Sequence, residues 1–262
     1  MSSSKTLVQT AADDGIARIT LNRPQAANAL SLALLDELEA ACDWVAQENS
    51  IRVVILAGAG EKAFCAGADL KERANMTESE AIYTVKRIGE VIARVEKLPQ
   101  PVIAEVGGSA FGGGLELCLA CDIRIFAEDS FYGLTETKLA IIPGAGGTQR
   151  LPRLIGAGKA KELIFTARRL TGTEAYNYGL CEWALPREKT SAAASQLAIE
   201  MASNGPIALR AAKKAINEGA ALPLEAALAV EREAYLQTLQ TEDRLEGLAS
   251  FKEKRPPVYK GK

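Results

Sequence analysis

The chain of 262 residues contains no histidine. This absence excludes serine–histidine triads and cysteine–histidine dyads, and it removes a ligand on which most zinc sites depend. Any proton transfer in an active site therefore falls to glutamate, aspartate, lysine, tyrosine or cysteine side chains. We expect neither a metal nor a redox cofactor, because ligand clusters and dinucleotide-binding motifs are also missing from the sequence.

The sequence also has no uninterrupted apolar run long enough to span a membrane. Residues 1–10 have neither the apolar stretch of a signal peptide nor an arginine-rich amphipathic pattern. The formal net charge is −2, which provides no bulk electrostatic attraction to nucleic acid. We therefore expect a cytoplasmic protein that binds neither membranes nor nucleic acid, with a form processed in an organelle as the alternative.

The five cysteines are an odd number, and only Cys118 and Cys121 have the spacing of a CxxC pair. That pair falls in a predicted helix and has no second pair elsewhere, so it indicates neither a zinc site nor a disulfide framework. We expect all of them to be small buried side chains in a reducing compartment.

Strand and helix patterns alternate along most of the chain, which predicts an α/β fold with mainly parallel strands. The predicted strands are residues 6–10, 16–21, 53–57, 102–106 and 123–127, and the predicted helices are 31–49 and 78–97. The apolar face of the first helix consists of Leu34, Leu35, Leu38, Ala41, Cys42 and Val45. Four further helices without strands are predicted at 188–203, 207–218, 224–239 and 242–254. We expect a core with the active site over residues 1–187 and a helical oligomerisation region over residues 188–262.

A glycine turn precedes a helix that carries one carboxylate among apolar residues. Gly112, Gly113 and Gly114 leave backbone N–H groups uncovered, and the following helix adds the positive end of its dipole. Together these N–H groups and the helix dipole can stabilise a negative charge that develops during a reaction. Glu116 lies in the first turn of this helix, and a second acid, Glu136, follows after one more strand. Two glutamates near such a turn indicate acid/base chemistry on a carbonyl compound.

Each of these features also has a structural explanation. The glycines suit close helix–sheet packing, Glu116 can be a helix-terminal acid paired with Arg124, and Glu136 can be a solvated loop acid. The small residues at 66–68 leave the backbone open to a ligand, but they also suit a tight turn. The glycine-rich segment 143–148 lacks the lysine and the spacing of a phosphate-binding loop, so we predict a structural role for it.

Four short segments along the chain match motifs of one known family. They are LNRP at 21–24, FCAGADL at 64–70, GGGLEL at 112–117 and IPGAGGTQR at 142–150. Their order and spacing resemble the crotonase superfamily, also called the enoyl-CoA hydratase/isomerase family, and the likeness covers nearly the whole chain. The resemblance implies a spiral of ββα units with a helical C-terminal region, assembled as trimers that pair into hexamers. It also implies an acyl-CoA thioester substrate, whose coenzyme A is part of the substrate rather than a cofactor.

The same resemblance implies roles for individual residues. It places the thioester carbonyl between the backbone N–H groups of Ala68 and Gly113. It implies Glu116 as the base that activates water and Glu136 as the acid that protonates the α carbon. The residues implied to contact coenzyme A are Arg23, Gln25, Ala26, Ala66, Gly67, Asp69, Leu70, Lys71 and Lys254, the last often from a neighbouring subunit. We also expect burial and mutual repulsion to raise the pKa of at least one glutamate.

Finer similarities suggest the reaction and the substrate. Both glutamates together are typical of hydratases, with Δ3,Δ2-enoyl-CoA isomerisation, which needs one base, as the alternative. Segments 68–73, 136–142 and 252–261 are particularly similar to methylglutaconyl-CoA hydratases of leucine degradation, with crotonyl-CoA as the alternative substrate. Some of those hydratases bind AU-rich RNA through a lysine-studded helix. The matching helix at 31–49 has no lysine or arginine and carries five acids, so we expect no RNA binding.

Overall fold

The computed structural model describes residues 6–262 as a mixed α/β fold with two sheets and a helical C-terminal region. The strands are β1 (Val8–Asp13), β2 (Ile16–Leu21), β3 (Val53–Gly58), β4 (Ala63–Cys65), β5 (Val102–Val106), β6 (Ser109–Phe111), β7 (Ile123–Ala127), β8 (Phe131–Gly133), β9 (Leu170–Thr171) and β10 (Trp183–Leu185). The helices are α1 (Leu32–Gln47), α2 (Leu70–Arg73), α3 (Glu78–Glu96), α4 (Gly113–Leu119), α5 (Gly147–Ile155), α6 (Ala157–Thr166), α7 (Gly172–Tyr178), α8 (Arg187–Ala202), α9 (Pro206–Gly219), α10 (Leu224–Leu239) and α11 (Glu242–Glu253). Short 3-10 helices span Pro24–Ala26 and Glu136–Leu139.

The larger sheet has the strand order β1-β2-β3-β5-β7-β10. β1 and β2 form an antiparallel hairpin, and the other neighbouring strands pair in parallel. Asp14 and Gly15 close the hairpin with φ angles of 45° and 78°, as expected of a turn with this sequence. The predicted α/β fold with mainly parallel strands is confirmed, although β1 continues to Asp13 instead of ending at residue 10.

The smaller sheet has the strand order β4-β6-β8-β9, and its strands are two or three residues long. The sequence did not predict them because so few residues carry no measurable periodicity. β3, β5 and β7 are each followed by one of these short strands and then by a helix. This repetition is the ββα spiral that the resemblance implied. β4, β6 and β8 pair in parallel, so their carboxyl ends meet at one edge.

Helix α1 packs one apolar face against the larger sheet. Its buried residues are Leu34, Leu35, Leu38, Ala41, Cys42 and Val45, the face predicted from the sequence. Ser31 caps this helix by accepting a hydrogen bond from Leu34 N. Helix α3 begins with a capping box between Thr77 and Glu80, which explains why its predicted start is correct.

The opposite face of the larger sheet packs against α8. The small side chains of Ala194, Ala198 and Ala202 allow this helix to approach the strands closely. The strand residues of the same cluster are Val53, Ile55, Ile103 and Ile125. The first of the four predicted C-terminal helices therefore lies on the sheet. A division of the chain at residues 187 and 188 stays a prediction.

Helices α9 and α10 pack against each other, and α11 follows them. Large apolar side chains of α10 and α11 are exposed on the single chain, namely Leu224, Leu228, Tyr235, Leu236, Leu245, Leu248 and Phe251. Groups of exposed apolar side chains are typical of surfaces that bind another protein.

Two expectations about the whole chain can be compared with the structure. The five cysteines are all buried and free, as predicted. Burial raises the pKa of Cys42, Cys65 and Cys121 to about 12, so these thiols stay protonated at neutral pH. In residues 6–262, no helix has both the length and the apolar character needed to cross a membrane.

Candidate active site

The carboxyl ends of β4, β6 and β8 open onto one cavity of about 540 Å³. Residues 66–68 follow β4, the glycine turn follows β6, and Glu136 follows β8, so parallel pairing brings these loops together. The predicted residues that line the cavity are Ala66, Gly67, Ala68, Leu70, Gly113, Glu116 and Glu136. The structure thus gathers every residue that was predicted to act in catalysis.

Two backbone N–H groups lie close together at this cavity. Leu30 N donates to Gly67 O at 2.8 Å, and Asp69 N donates to Leu30 O at 3.3 Å. Because an extended backbone alternates the direction of its N–H groups, the N–H of the intervening Ala68 points away from Leu30. Gly113 begins α4, so its N–H has no acceptor within the helix. A β-carbon on Gly113 would lie only 3.7 Å from Ala68 N.

Two glycines of the turn are required for different reasons. Gly112 has a φ of 50°, and a β-carbon there would lie 2.9 Å from Glu136 Oε1. Gly114 packs so closely against β4 that a β-carbon would lie 2.1 Å from Cys65 O. Close helix–sheet packing therefore explains Gly114, whereas Gly112 leaves space for the Glu136 carboxyl group.

Glu116 is 3% exposed and lies in the first turn of α4. Its Oε1 accepts hydrogen bonds from Ala145 N at 2.8 Å and from Gly147 N at 2.7 Å. Burial raises the pKa of Glu116, and the two N–H donors oppose that rise because they favour the charged form. Arg124 is not its partner, since Arg124 Nη2 pairs with Glu182 Oε1 at 2.5 Å. The predicted pairing with Arg124 is therefore wrong, whereas the predicted place of Glu116 in the first turn of a helix is confirmed.

The segment 143–148 contributes more than the structural role predicted for it. Its backbone supplies both donors to Glu116, and its residues Gly144 and Ala145 line the cavity. A β-carbon on Gly147 would lie 3.0 Å from Glu116 Oε1. The sequence does indicate that a helix starts in this glycine-rich segment, and the first N–H groups of a helix have no acceptor within it. It does not indicate which acceptor these N–H groups bind.

Glu136 begins the 3-10 helix that follows β8. Its Oε2 is buried and has no hydrogen-bond partner among residues 6–262. Burial, with additional repulsion from Glu116, raises the pKa of Glu136 to about 7. Glu136 is therefore not a solvated loop acid, and the expectation of a raised pKa is confirmed for both glutamates.

Arg23 and Asp69 were predicted to contact coenzyme A, but neither lines the cavity. Arg23 Nη1 pairs with Asp69 Oδ2 at 2.5 Å. Asp69 is 8% exposed and also accepts hydrogen bonds from the backbone N atoms of Lys71 and Glu72, so it caps α2. Together these contacts hold the loop that carries Ala68.

Four further predicted contacts to coenzyme A lie outside the cavity wall. Gln25 and Ala26 belong to the first 3-10 helix, Lys71 is exposed on α2, and Lys254 ends α11 with a φ of 55°. Their contact with coenzyme A stays a prediction.

The sequence did not identify most of the cavity wall. The additional side chains in the wall are Arg73 of α2, Val85 and Ile88 of α3, Thr135 before Glu136, and Leu139, Ile141 and Ile142 after it. Val85 and Ile88 are three positions apart, which places them on one face of α3. That face belongs to the cavity wall only because α3 packs over the loops.

The site combines two N–H donors with the buried carboxyl group of Glu116 and the partly buried carboxyl group of Glu136. These are the groups needed to stabilise an enolate and to transfer protons beside it. Among residues 6–262, no group of three or more histidine, cysteine, aspartate or glutamate side chains is arranged to hold a metal ion. Repeated ββα units around such a cavity define a crotonase-type enzyme.

Comparison with known proteins identifies the family. Residues 11–262 match the model of the enoyl-CoA hydratase/isomerase family, and the chain belongs to this family. It is 55% identical over 252 residues to YngF of Bacillus subtilis, a putative enoyl-CoA hydratase/isomerase, covering 96% of this chain and 97% of the relative. It is 51% identical over 251 residues to the mitochondrial methylglutaconyl-CoA hydratase of Mus musculus, covering 94% of this chain and 80% of the relative.

Solved structures agree with this identification. An enoyl-CoA hydratase from Bacillus anthracis has a TM-score of 0.97 and 55% identity, covering 98% of this chain and 100% of that chain. An enoyl-CoA hydratase from Mycobacterium smegmatis has a TM-score of 0.92 and 30% identity, covering 97% of this chain and 99% of that chain. The protein is thus an enzyme of the enoyl-CoA hydratase/isomerase type, a family whose members act on acyl-CoA substrates.

Proposed function

We propose that the protein is an enoyl-CoA hydratase that adds water across the 2,3 double bond of a short-chain or methyl-branched enoyl-CoA thioester. The observation that carries this proposal is the pair of differently held carboxyl groups at one cavity. Glu116 accepts two backbone hydrogen bonds, whereas Glu136 Oε2 is buried with no partner among residues 6–262. Hydration needs one group that takes a proton from water and another that gives a proton to carbon.

The N–H groups of Ala68 and Gly113 provide the electrostatic part of the mechanism. In the proposed complex the thioester oxygen accepts hydrogen bonds from both, and the negative charge that develops as water adds to C3 is stabilised there. The backbone fixes these donors before the reaction begins. Loss of one such donor typically costs about 3 kcal/mol, or on the order of 100-fold in rate.

The two glutamates divide the proton transfers. Glu116 is the general base, because two N–H donors on Oε1 favour its ionised form and leave Oε2 for a proton of the attacking water. Glu136 is the general acid, since a pKa of about 7 keeps a substantial fraction protonated at neutral pH. The water oxygen bonds to C3, its proton passes to Glu116, and the proton of Glu136 passes to C2. Exchange with solvent then restores both groups.

The two substrates to compare are crotonyl-CoA and 3-methylglutaconyl-CoA. Relatives named methylglutaconyl-CoA hydratase are 50% or 51% identical to this chain, which supports the branched substrate and a place in leucine degradation. The aliphatic wall of Val85, Ile88, Leu139 and Ile141 suits either a short chain or a methyl branch. The relative with 55% identity is named only as a putative enoyl-CoA hydratase/isomerase, a name that specifies no substrate. Crotonyl-CoA therefore stays the alternative substrate.

Binding of coenzyme A is proposed to involve more than one copy of the chain. Lys254 lies outside the cavity wall of its own chain, and large apolar side chains such as Leu236 and Phe251 are exposed on the C-terminal helices. Association through these helices would bury that surface and bring a lysine to the ligand of another copy. We therefore propose cytoplasmic homotrimers that pair into hexamers, with coenzyme A entering as part of the substrate and no separate cofactor.

Two other functions have less support. Δ3,Δ2-isomerisation would use the same N–H pair but only one base, so a second carboxyl group in the cavity wall favours hydration. RNA binding through α1 is disfavoured because that helix has no lysine or arginine of its own. The neighbouring arginines of α3 are held by acids of α1 and so are less available to phosphates. These pairs are Arg87 with Asp36 and Glu39, and Arg94 with Asp43.

The direct test follows the loss of 2-enoyl thioester absorbance with crotonyl-CoA and 3-methylglutaconyl-CoA in parallel, with Glu116→Gln as the control. We expect glutamate-dependent turnover, and the ratio of the two kcat/KM values identifies the better substrate. Faster conversion of a 3-enoyl-CoA than of either 2-enoyl-CoA would support the isomerase instead.

A further inference from the structure

Among the residues that the structure describes, Arg73 provides the one cationic side chain of the cavity wall. It is half-buried, and within residues 6–262 its guanidinium forms no ion pair and no hydrogen bond. By contrast, Arg23 pairs with Asp69 and Arg150 pairs with Glu96. Because no acidic side chain of residues 6–262 pairs with Arg73, its guanidinium in the cavity wall is available to an anion that arrives with a ligand.

Helix α2 directs Arg73 and Leu70 towards the same cavity. The two residues are three positions apart, which places them on one face of a helix, and both line the wall. Asp69 caps α2 through two backbone N–H groups. Since Asp69 directly follows Ala68, the position of the guanidinium is tied to the loop that supplies one N–H donor to the thioester carbonyl.

The charges around the cavity explain what Arg73 can recognise. The other ionisable groups of the wall are Glu116 and Glu136, and they repel an acyl chain that ends in a carboxylate. A purely apolar acyl chain gains nothing from a guanidinium and removes water from it. A carboxylate, however, accepts two parallel hydrogen bonds from the planar guanidinium.

We propose that Arg73 is a specificity-determining residue that binds the distal carboxylate of a dicarboxylic acyl-CoA thioester. This inference rests on the proposed function, because it takes the cavity as the place of the acyl chain. The aliphatic side chains of Val85, Ile88 and Leu139 would hold the carbon chain between the carbonyl and the carboxylate. A phosphate of coenzyme A would satisfy the same guanidinium, so the experiment separates these two anions.

The kinetic experiment compares 3-methylglutaconyl-CoA, which has a distal carboxylate, with crotonyl-CoA, which has none. Arg73→Met removes the charge but keeps an extended side chain. Arg73→Lys keeps the charge but lacks the planar guanidinium that donates two parallel hydrogen bonds. Lys189→Met removes one positive charge from an exposed position of α8 and is the matched control.

In Arg73→Met we expect kcat/KM for 3-methylglutaconyl-CoA to fall at least about tenfold, while kcat/KM for crotonyl-CoA stays within about twofold. Arg73→Lys should retain part of the wild-type ratio of kcat/KM for 3-methylglutaconyl-CoA to kcat/KM for crotonyl-CoA. Lys189→Met should retain the full ratio. Equal losses with both substrates would assign Arg73 to coenzyme A and overturn the inference. Unchanged kinetics with 3-methylglutaconyl-CoA would also overturn it.

A binding experiment makes the result independent of the reaction. Glutaryl-CoA and valeryl-CoA have five-carbon acyl chains that differ at the terminal carboxylate or methyl group, and neither has a double bond to hydrate. By calorimetry at low salt, we expect the wild type to bind glutaryl-CoA at least about tenfold more tightly, and Arg73→Met to lose this preference.

The two measurements distinguish failure of the inference from failure of the proposed function. If neither enoyl-CoA is hydrated but glutaryl-CoA is preferred through Arg73, the reaction assignment is wrong and the role of Arg73 stands. If the wild type hydrates an enoyl-CoA but binds both saturated thioesters equally, the hydratase stands and the role of Arg73 is wrong. A preference that survives in Arg73→Met also contradicts the inference.

Discussion

Glu116 and Glu136 line the same cavity, but the backbone around the two carboxyl groups differs. Glu116 Oε1 accepts hydrogen bonds from Ala145 N and Gly147 N. Glu136 Oε2 is buried, and no donor reaches it from residues 6–262. Burial raises the pKa of both groups, and only at Glu116 do two donors from another loop oppose this effect. The two carboxyl groups of one cavity therefore differ in the hydrogen bonds that favour their ionised forms.

The difference originates in the loops that carry the two groups. Glu116 lies in a helix whose first turn faces the start of α5, where helical N–H groups lack acceptors. Glu136 lies after β8 beside Gly112, whose missing side chain leaves space but provides no donor to Oε2. The backbone around the two groups thus distinguishes the proposed base from the proposed acid, and the following variants test that distinction.

The largest effect is expected from Glu116→Gln. The amide oxygen of glutamine can still accept the N–H groups of Ala145 and Gly147, so the fold should persist while the base is lost. We expect kcat for hydration to fall on the order of 10³-fold, measured by loss of enoyl thioester absorbance. The control is Glu188→Gln, at an exposed acid of α8. A comparable loss in this control would show that the effect is not specific to the site.

Glu136→Gln should lower kcat on the order of 10²-fold and change its pH dependence. A general acid must be protonated, and Glu136 loses its proton as the pH rises through about 7. We therefore expect the wild-type rate to fall above that pH, and the variant to lack this decrease. Retention of the decrease in Glu136→Gln would assign the titration to another group.

Gly147→Ala should weaken the hydrogen bond from Gly147 N to Glu116 Oε1, which has no counterpart at Glu136 Oε2. A β-carbon there would lie 3.0 Å from Glu116 Oε1 and 2.9 Å from Leu134 Cδ1. We expect kcat to fall about tenfold and the free energy of unfolding to fall by about 1–3 kcal/mol. In Gly158→Ala, where a β-carbon meets nothing within 4 Å, both quantities should stay unchanged or the stability should rise slightly. Equal effects in the two variants would contradict the role given to Gly147.

The last prediction concerns the pH dependence of stability, where the effect at any single pH unit is small. Folding raises the pKa of Glu136 from 4.5 to about 7, so its favourable contribution is complete below pH 4.5 and is lost as the pH rises to about 7. Glutamine has no such dependence. The free energy of unfolding of Glu136→Gln minus that of the wild type should therefore rise across this interval, by up to about 1.4 kcal/mol per pH unit. Urea unfolding of both proteins at several pH values measures this difference in the free energy of unfolding. A difference that does not change with pH would contradict the raised pKa of Glu136.

Much of the fold could be predicted because the relevant signals are local. The apolar face of α1 follows helical spacing, and the capping box of α3 occupies four consecutive residues, Thr77 to Glu80. The short strands β4, β6 and β8 carry no such signal, yet their carboxyl ends position the site.

The candidate site was predictable to the extent that its signals lie within single segments. Gly112 to Glu116 form one continuous motif, so their chemistry could be inferred. The donors to Glu116 come from residues 29 and 31 positions away, and no local pattern reports such a contact. Arg73 likewise becomes part of the wall only when α2 packs beside the loops. The predicted partner Arg124 was wrong because Glu182, on a distant segment, takes its guanidinium.

The most direct test of the division between the glutamates is a ¹³C NMR titration of the ligand-free enzyme with labelled glutamate carboxyl groups. We predict one carboxyl group that titrates near pH 7 and that is absent from Glu136→Gln. In Glu116→Gln the same signal should remain, with a lower pKa because the neighbouring negative charge is gone. Loss of the signal in Glu116→Gln together with its persistence in Glu136→Gln would contradict the account and reverse the roles of acid and base.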